Sequence, residues 1–100
     1  MKQKIATAAT QKILFLPHAI KQMSRPDRMI TTDEVREAVL SGEIIEEYLE
    51  DQRGESCLVM NTIGNRIIHV VCAPKAEYLS VITAYSPSPD QWTSDFKTRK

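Results

Sequence analysis

The clearest hydrophobic pattern in the chain runs from Arg66 to Ala73, with the sequence Arg-Ile-Ile-His-Val-Val-Cys-Ala. Its β-branched residues suit a pleated surface, and apolar side chains occupy both alternating sets of positions. We therefore expect a strand that is covered on both faces. One imidazole, that of His69, interrupts the run, and it belongs either to the core or to the wall of a site.

The rest of the apolar and polar pattern predicts helices early in the chain and strands in its second half. We expect a strand over 12–16, helices over 17–25 and 31–42, and strands over 44–49, 56–62, 66–73 and 78–85. A run of helices followed by a run of strands is typical of α+β proteins. The sequence therefore predicts the order β-α-α-β-β-β-β, with an antiparallel twisted sheet and two helices on one face.

The second predicted helix carries the strongest signals at its ends. Thr31 and Glu34 have the spacing of a capping box, and Ile30 with Val35 has that of a hydrophobic staple. Gly42 is expected to end this helix in the left-handed conformation.

The C-terminal segment also contains a signal for the start of a helix. Ser88-Pro89-Asp90-Gln91 combines a capping residue with a proline at the first helical position. A helical turn or two would place Trp92 and Phe96 on the same side, where they would cover a sheet edge or a partner.

Length and composition limit what the chain can be. One hundred residues make one domain with one core, and 42% hydrophobic and 26% charged residues are ordinary for a globular protein. Residues 1–11 show neither a period nor a cap, so we expect a flexible N-terminus before a single α+β domain over 12–100. No apolar run approaches the ~20 residues of a membrane-spanning helix, and we expect a cytoplasmic protein without a membrane partner.

Charge and cysteine content narrow the kinds of site. The 13 basic and 13 acidic residues cancel, so only a local basic patch could recruit nucleic acid. Cys57 and Cys72 lie in apolar runs and form no C-x-x-C motif, which favours structural thiols over a zinc site built with the two histidines. We therefore predict no metal ion and no cofactor.

His18 is the most suggestive polar residue in the first half of the chain. If a helix begins at Pro17, the ring lies among unpaired backbone N–H groups at the positive end of the helix dipole, where a neutral imidazole can act as a base. The same N–H groups attract phosphate, and Lys21 and Arg25 add positive charge further along the helix. The alternative is a solvated polar face, which the pattern alone favours.

Residues on the predicted strands are further candidates. Glu46 and Glu47 lie on opposite faces of their strand, so at most one of them can join a site. Tyr85 stands at the end of the last strand, where a tyrosine either serves a site or packs at an edge. His69 lies on an apolar face, where a histidine is more often a core residue than a functional one.

Cleavage of RNA without metal needs a base for the 2′-hydroxyl, an acid for the leaving oxygen and cations for the transition state. The candidate catalytic residues are His18, His69, Glu47 and Tyr85, and the candidate phosphate-binding residues are Lys21, Arg25, Arg28 and Arg53. Their spacing does not by itself bring them together, because any small sheet protein holds a similar set.

Five segments, taken in order, carry a family resemblance. They are His18-Ala19 at the start of a helix, Arg28-Met29-Ile30-Thr31-Thr32-Asp33-Glu34-Val35, Gly42-Glu43-Ile44-Ile45-Glu46-Glu47-Tyr48, His69-Val70-Val71 and Val81-Ile82-Thr83-Ala84-Tyr85. Together they resemble the bacterial family called domain of unknown function 4258, over about Ile13 to Arg99. The stretch from Tyr85 through Trp92 to Arg99 resembles the ending of many members.

The resemblance implies a compact α+β fold like that of RelE and barnase, and the toxin-type ribonuclease activity suggested for some members. Carried over by position, it implies His18, Arg28, Glu47 and His69 as site residues, with Tyr85 at the margin. The leading expectation is a RelE-like domain that binds RNA and has the residue types to cleave it without metal. His18 or Glu47 would be the base and His69 the acid.

The alternative expectation is a non-catalytic interaction module. Such a module would use a sheet edge and the tail with Trp92 and Phe96 to bind an antitoxin-like protein partner or a second copy as a homodimer. The nuclease expectation depends on one geometric condition, namely that the rings of His18 and His69 open onto a shared cleft.

Overall fold

Three helices and five strands follow one another in the computed structural model, which describes residues 1–52 and 54–100. They are α1 (Lys2–Gln11), β1 (Ile13–Phe15), α2 (Pro17–Met23), α3 (Thr32–Ser41), β2 (Glu43–Tyr48), β3 (Ser56–Ile63), β4 (Arg66–Pro74) and β5 (Leu79–Tyr85). The α+β class is confirmed, and from β1 onward the order of elements is the predicted one.

The five strands form one sheet in the order β1-β5-β4-β3-β2. The pairs β2–β3, β3–β4 and β4–β5 are antiparallel, whereas β1 pairs with β5 in parallel. The prediction of a fully antiparallel sheet is therefore wrong at the β1 edge. A parallel pair needs a long crossover connection, and the chain between β1 and β5 supplies it.

Residues at the N-terminus form the helix α1, so the prediction of a flexible segment over 1–11 is wrong. Ala8 and Ala9 lie about one helical turn after Ile5, on the same side of the helix, and all three are buried in the core. This stripe is short and made mostly of alanine, and no side chain caps the helix, which explains why the pattern was too weak to predict it.

The predicted start of α3 is confirmed in detail. The Thr31 side chain accepts a hydrogen bond from the Glu34 backbone N–H, and the Glu34 carboxylate accepts one from the Thr31 N–H. The predicted end is wrong in its conformation, because Gly42 has an extended backbone with φ −86°. A Cβ at Gly42 would lie 2.7 Å from Val59 Cγ1 and 2.8 Å from the Met60 carbonyl oxygen, so close packing requires the glycine.

The sheet has two faces, which we name by what covers them. The helix face carries Cys57, Val59, Ile68, Val70, Cys72, Leu79, Val81 and Ala84, which pack with the three helices. The tail face carries Leu58, Met60, His69, Val71, Thr83 and Tyr85, which the strand register pairs with one another.

The C-terminal tail, residues 86–100, covers part of the tail face. It forms one turn at Ser88 and then folds back on itself through an antiparallel bridge between Trp92 and Arg99, so the predicted helical turns after the first are wrong. The Lys100 N–H donates to the Gln91 carbonyl and the Thr93 N–H to the Thr98 carbonyl, and these bonds replace a helical continuation. Trp92 is 2% exposed and is therefore part of the interior.

Candidate functional site

His69 is at the centre of a polar and aromatic cluster on the tail face. Its Nε2 lies 2.9 Å from the Phe96 carbonyl oxygen, and its Nδ1 lies 3.3 Å from the Tyr85 hydroxyl. The Trp92 ring contacts the imidazole edge-to-face, with centroids 4.5 Å apart. The His69 side chain is completely buried, because β4 carries it under the C-terminal tail.

The hydrogen bonds of His69 define its protonation. A carbonyl can only accept, so Nε2 donates to Phe96 and the lone pair of Nδ1 faces the Tyr85 hydroxyl, which donates. Burial lowers the pKa of His69 and favours the neutral ring. Phe96 itself has φ +60°, a rare conformation for a residue with a Cβ, and its carbonyl meets the ring.

Tyr85 connects this buried histidine to a basic loop. It is half-buried at the end of β5, and the Arg28 guanidinium lies 6.0 Å from the centre of its ring. Burial raises the pKa of Tyr85, so its hydroxyl stays protonated and acts as a hydrogen-bond donor. Tyr85 is thus the member of the cluster that lies between His69 and a cation of the α2–α3 loop.

Arg28 is held in place from two sides. Its Nη1 donates to the Gln22 side chain in α2 at 2.6 Å, and its backbone carbonyl accepts a hydrogen bond from the Arg66 guanidinium of β4. Arg66 also pairs with Glu34 of α3 at 2.9 Å. The loop between α2 and α3 is therefore fastened to the start of β4, which positions Arg28 beside Tyr85.

A second charged group lies on the tail face next to His69. Arg99 of the tail donates to both carboxylate oxygens of Glu46, at 3.0 and 3.2 Å, and the Tyr48 hydroxyl donates to the same carboxylate. Burial alone would raise the pKa of Glu46, but the hydrogen bonds from Arg99 and Tyr48 lower it below its ordinary value. Burial and the Glu46 carboxylate raise the pKa of Tyr48 to about 12.

Arg99 also covers Trp92, with its guanidinium 4.7 Å from the ring centroid. Sequence reasoning singled out Glu47 and missed Glu46, Tyr48 and Arg99. A β-bulge between Ile44 and Glu46 shifts the register of β2, and the sequence alone gives no signal for it.

The structure brings together three of the predicted site residues and leaves the others apart. Arg28, Tyr85 and His69 form the contiguous chain described above. His18 is exposed on α2, which packs into the helix-face core, whereas His69 is sealed beneath the tail on the other face. Glu47 is exposed at the β2 edge and pairs in register with Cys57 of the helix face. The predicted cleft shared by the two histidines is therefore not formed.

The predicted phosphate-binding residues on α2 are exposed. Lys21 lies in the last turn of the helix, and Arg25 follows it and forms an exposed ion pair with Asp27 at 3.4 Å. Both are close in the chain to Arg28, and with Asp27 as the acidic residue among them, α2 and its following loop carry more basic than acidic side chains. Arg53 lies outside the described residues.

Metal chemistry has no visible site in the part of the chain that the structure describes. Residues 1–52 and 54–100 contain no group of three or more His, Cys, Asp or Glu side chains that could hold a metal ion. In the same ranges, no helix combines the length and the hydropathy that crossing a membrane requires.

Comparison with known families gives one match. The model of the family described as Domain of unknown function (DUF4258) matches residues 15–86, which is more than half of the chain. The chain belongs to the DUF4258 family. The resemblance inferred from the sequence is thereby confirmed over residues 15–86, while the likeness of the tail to other members and of the fold to RelE and barnase stays a prediction. No curated protein and no solved structure matches the chain.

The DUF4258 match leaves both ends of the chain uncovered. It begins after α1 and ends at Ser86, so the helix that completes the helix face and the tail that covers His69 both lie outside the matched range. Arg28, His69 and Tyr85 all lie within it.

Proposed function

We propose that this DUF4258 protein binds RNA through a basic surface formed by α2 and the α2–α3 loop, with Tyr85 beside it. The observation that carries the proposal is the position of Arg28, whose guanidinium is held by Gln22 of α2 and lies against the Tyr85 ring. The cations of an exposed helix can contact the phosphate backbone of RNA, and an aromatic side chain beside them can stack on a neighbouring base.

The charge distribution supports this surface despite the zero net charge. His18, Lys21, Arg25 and Arg28 belong to α2 and its loop, and α2 packs against β5. Glu43, Glu46 and Glu47 belong to β2, at the opposite edge of the sheet from β1 and β5. The tail partly neutralises that acidic edge through Arg99 and Lys97. Phosphate contacts require a local cationic patch, which the α2 side supplies.

The arrangement supports binding better than cleavage. Cleavage needs a base close to the acid, but His18 and Glu47 lie apart from Tyr85, and His69 is sealed with its Nε2 bound to a carbonyl. Within the described residues, Glu46 is the carboxylate near His69 and Tyr85, and Arg99 and Tyr48 already occupy its oxygens. In the proposed complex the Tyr85 hydroxyl keeps its hydrogen bond to His69, and the Tyr85 ring stacks on a base.

The direct test measures the affinity for a labelled single-stranded RNA at several salt concentrations. Lys21→Gln and Arg28→Gln should each weaken binding several-fold and reduce the slope of log affinity against log salt by about 1 for each lost phosphate contact. Lys97→Gln is the matched control, because it removes one lysine charge at the opposite sheet edge. Absence of RNA binding at low salt, or equal losses in all three variants, would contradict the proposal.

The same samples separate binding from cleavage. RNA products formed by the wild type and absent with Tyr85→Phe would add a catalytic role for this hydroxyl, and toxin-type activity would appear as slowed growth on induction that Tyr85→Phe relieves. Equal products from both proteins would indicate a contaminating nuclease. Stable binding without products is the result expected from the geometry.

A second candidate function is supported by apolar residues on the same surface. Ile20 of α2 is 43% exposed and Met29 of the following loop is 69% exposed. An apolar patch rimmed by cations fits an acidic protein segment or a second copy of the chain. Trp92, the anchor expected from the sequence, is buried within the protein and does not present such a surface.

This second candidate is tested by sedimentation of the purified protein over a range of concentrations. Self-association that Met29→Ser abolishes would favour an interaction module with a homodimer interface. Leu49→Ser is the control, because Leu49 is an exposed apolar residue just after β2, at the far edge of the sheet. A monomer at every concentration would remove the homodimer from consideration.

A further inference from the structure

Two thiols face each other within the helix face. Cys57 of β3 and Cys72 of β4 are directly opposite in the strand register, and their Sγ atoms lie 4.0 Å apart. Both side chains are fully buried. Directly opposite residues of an antiparallel pair have Cβ atoms roughly 4.5–5.5 Å apart, close to the roughly 3.5–4.5 Å found in disulfides. Small rotations of the two side chains would therefore bring the sulfurs together.

A surface cavity lies at the ends of β3 and β4 that carry this pair of cysteines. The cavity has a volume of about 470 Å³ and lies between α1 and the neighbouring ends of β3 and β4, where it is lined by Ala8, Glu55 and Pro74. Glu55 and Pro74 are each two residues along the chain from Cys57 and Cys72, which places them next to the cysteines on the same face. Neither cysteine lines the cavity, so a small peroxide must pass between its wall and the fully buried sulfurs.

The two thiols differ in their electrostatic environment. The hydrogen bond with Cys72 lowers the pKa of Cys57, whereas burial and the charge of Glu47 oppose this. The same hydrogen bond and then burial raise the pKa of Cys72. These opposite directions make Cys57 the thiol that we assign as the nucleophile, and in the contact itself either sulfur can be the donor.

We propose that Cys57 and Cys72 form an oxidation site that reacts with a small peroxide and closes an intramolecular disulfide between β3 and β4. In the first step the Cys57 thiolate attacks one oxygen of hydrogen peroxide. The O–O bond breaks, a sulfenic acid forms, and the second oxygen leaves as hydroxide and takes up a proton to become water.

In the second step Cys72 attacks the oxidised sulfur of Cys57. The S–O bond breaks, and the hydroxyl leaves as water with the proton of Cys72. Two thiols lose two electrons in total, and one peroxide is reduced to two waters. The product links strands that are already paired in register, so the sheet does not need to rearrange.

The disulfide should stabilise the folded protein. It would close the chain between residues 57 and 72 and so restrict the unfolded state. We expect the oxidised protein to melt several degrees above the reduced protein.

The test treats the reduced, folded wild type with hydrogen peroxide and analyses it by intact mass and by peptide mapping without reductant. The expected result is a loss of two hydrogen atoms, a linked pair of peptides containing Cys57 and Cys72, and a higher melting temperature that a reductant reverses. This readout uses the wild type and does not depend on a variant folding. A link that forms only after denaturation, or one that joins two molecules, would overturn the proposal.

Two single variants assign the order of the steps. Cys72→Ser should accumulate a sulfenic acid at Cys57 that dimedone traps, whereas Cys57→Ser should react more slowly and give little adduct. Equal labelling in the two variants would overturn the assignment of Cys57 as the attacking thiol.

Discussion

The helix face and the tail face of the sheet are closed by different kinds of contact. Three helices cover the helix face with aliphatic side chains, and that core continues from α1 across to β5. The tail face is covered by the C-terminal tail, through the Trp92 ring, the carbonyl of Phe96 that accepts from His69, and the ion pair between Arg99 and Glu46. One face thus relies on many apolar contacts, and the other on a few directional ones.

This difference indicates where the protein is sensitive. Apolar burial is non-directional and spread over many residues, so the loss of one contact is shared among the rest. The contacts of the tail converge on Trp92 and His69, and each of them depends on a specific geometry or protonation state. We therefore expect perturbations of the tail face to expose the Tyr85 and Arg28 region while the helix face stays folded.

The largest effect is expected for Trp92→Ala. Removing a buried tryptophan typically costs about 3–5 kcal/mol. Because the contacts of Trp92 lie between the tail and the sheet, part of this loss should appear as local release of the tail. Urea denaturation measures the global loss, and proteolytic cleavage within residues 86–100 measures the release. Trp92→Phe is the control that keeps an aromatic ring, and a tail equally resistant in all three proteins would contradict this account of tail docking.

A smaller effect is expected on the helix face for Gly42→Ala. The new Cβ would lie within 3 Å of Val59 and of the Met60 carbonyl. Overpacking of this kind costs about 1–3 kcal/mol, because strand and helix must move apart. Thermal unfolding measures the loss, and Glu37→Ala, at an exposed position of α3, is the control. The cleavage of the tail should remain as in the wild type, so faster cleavage would show that the two faces are not independent.

The smallest effect is the pH dependence of the tail face. Burial lowers the pKa of His69, so the unfolded chain binds a proton more readily than the folded protein. Stability from the neutral ring is fully present above the unfolded pKa of ~6.5, and it decreases as pH falls through that value towards the folded pKa. The slope is at most about 1.4 kcal/mol per pH unit.

The groups that face His69 modify this titration in opposite directions. Glu46 raises its pKa and Arg99 lowers it. His69→Gln keeps a donor for the Phe96 carbonyl and removes the titration. Denaturation at about pH 7 and about pH 5 should therefore show a greater loss for the wild type than for the variant. Equal losses would contradict the neutral, buried state of His69.

Local signals in the sequence predicted the elements that depend on neighbouring residues. The capping box of α3 was confirmed because Thr31 and Glu34 interact within one turn. The strand around His69 was confirmed. Its β-branched and apolar residues occupy both odd and even positions, so the strand must be covered on both faces. Gly64 lies in the β3–β4 hairpin with φ +64°, a conformation that glycine adopts without strain.

Other features depend on contacts between distant parts of the chain, and the sequence could not predict them. α1 is stabilised by the core that it joins and has no side-chain cap. The folded-back tail brings Arg99 to Glu46, more than fifty residues away. The β2 bulge places Glu46, and not the predicted Glu47, on the tail face, since one extra residue reverses the faces of those that follow.

The most direct test uses the two histidines of the chain. His18 lies on α2, which packs on the helix face, and His69 lies on the tail face. Diethyl pyrocarbonate modifies accessible neutral imidazoles, and peptide mapping shows which ring has reacted. We predict that His18 reacts rapidly in the folded wild type while His69 is protected, and that Trp92→Ala makes His69 reactive. Equal rates at both histidines in the wild type would contradict the central claim that the C-terminal tail seals His69 within the protein.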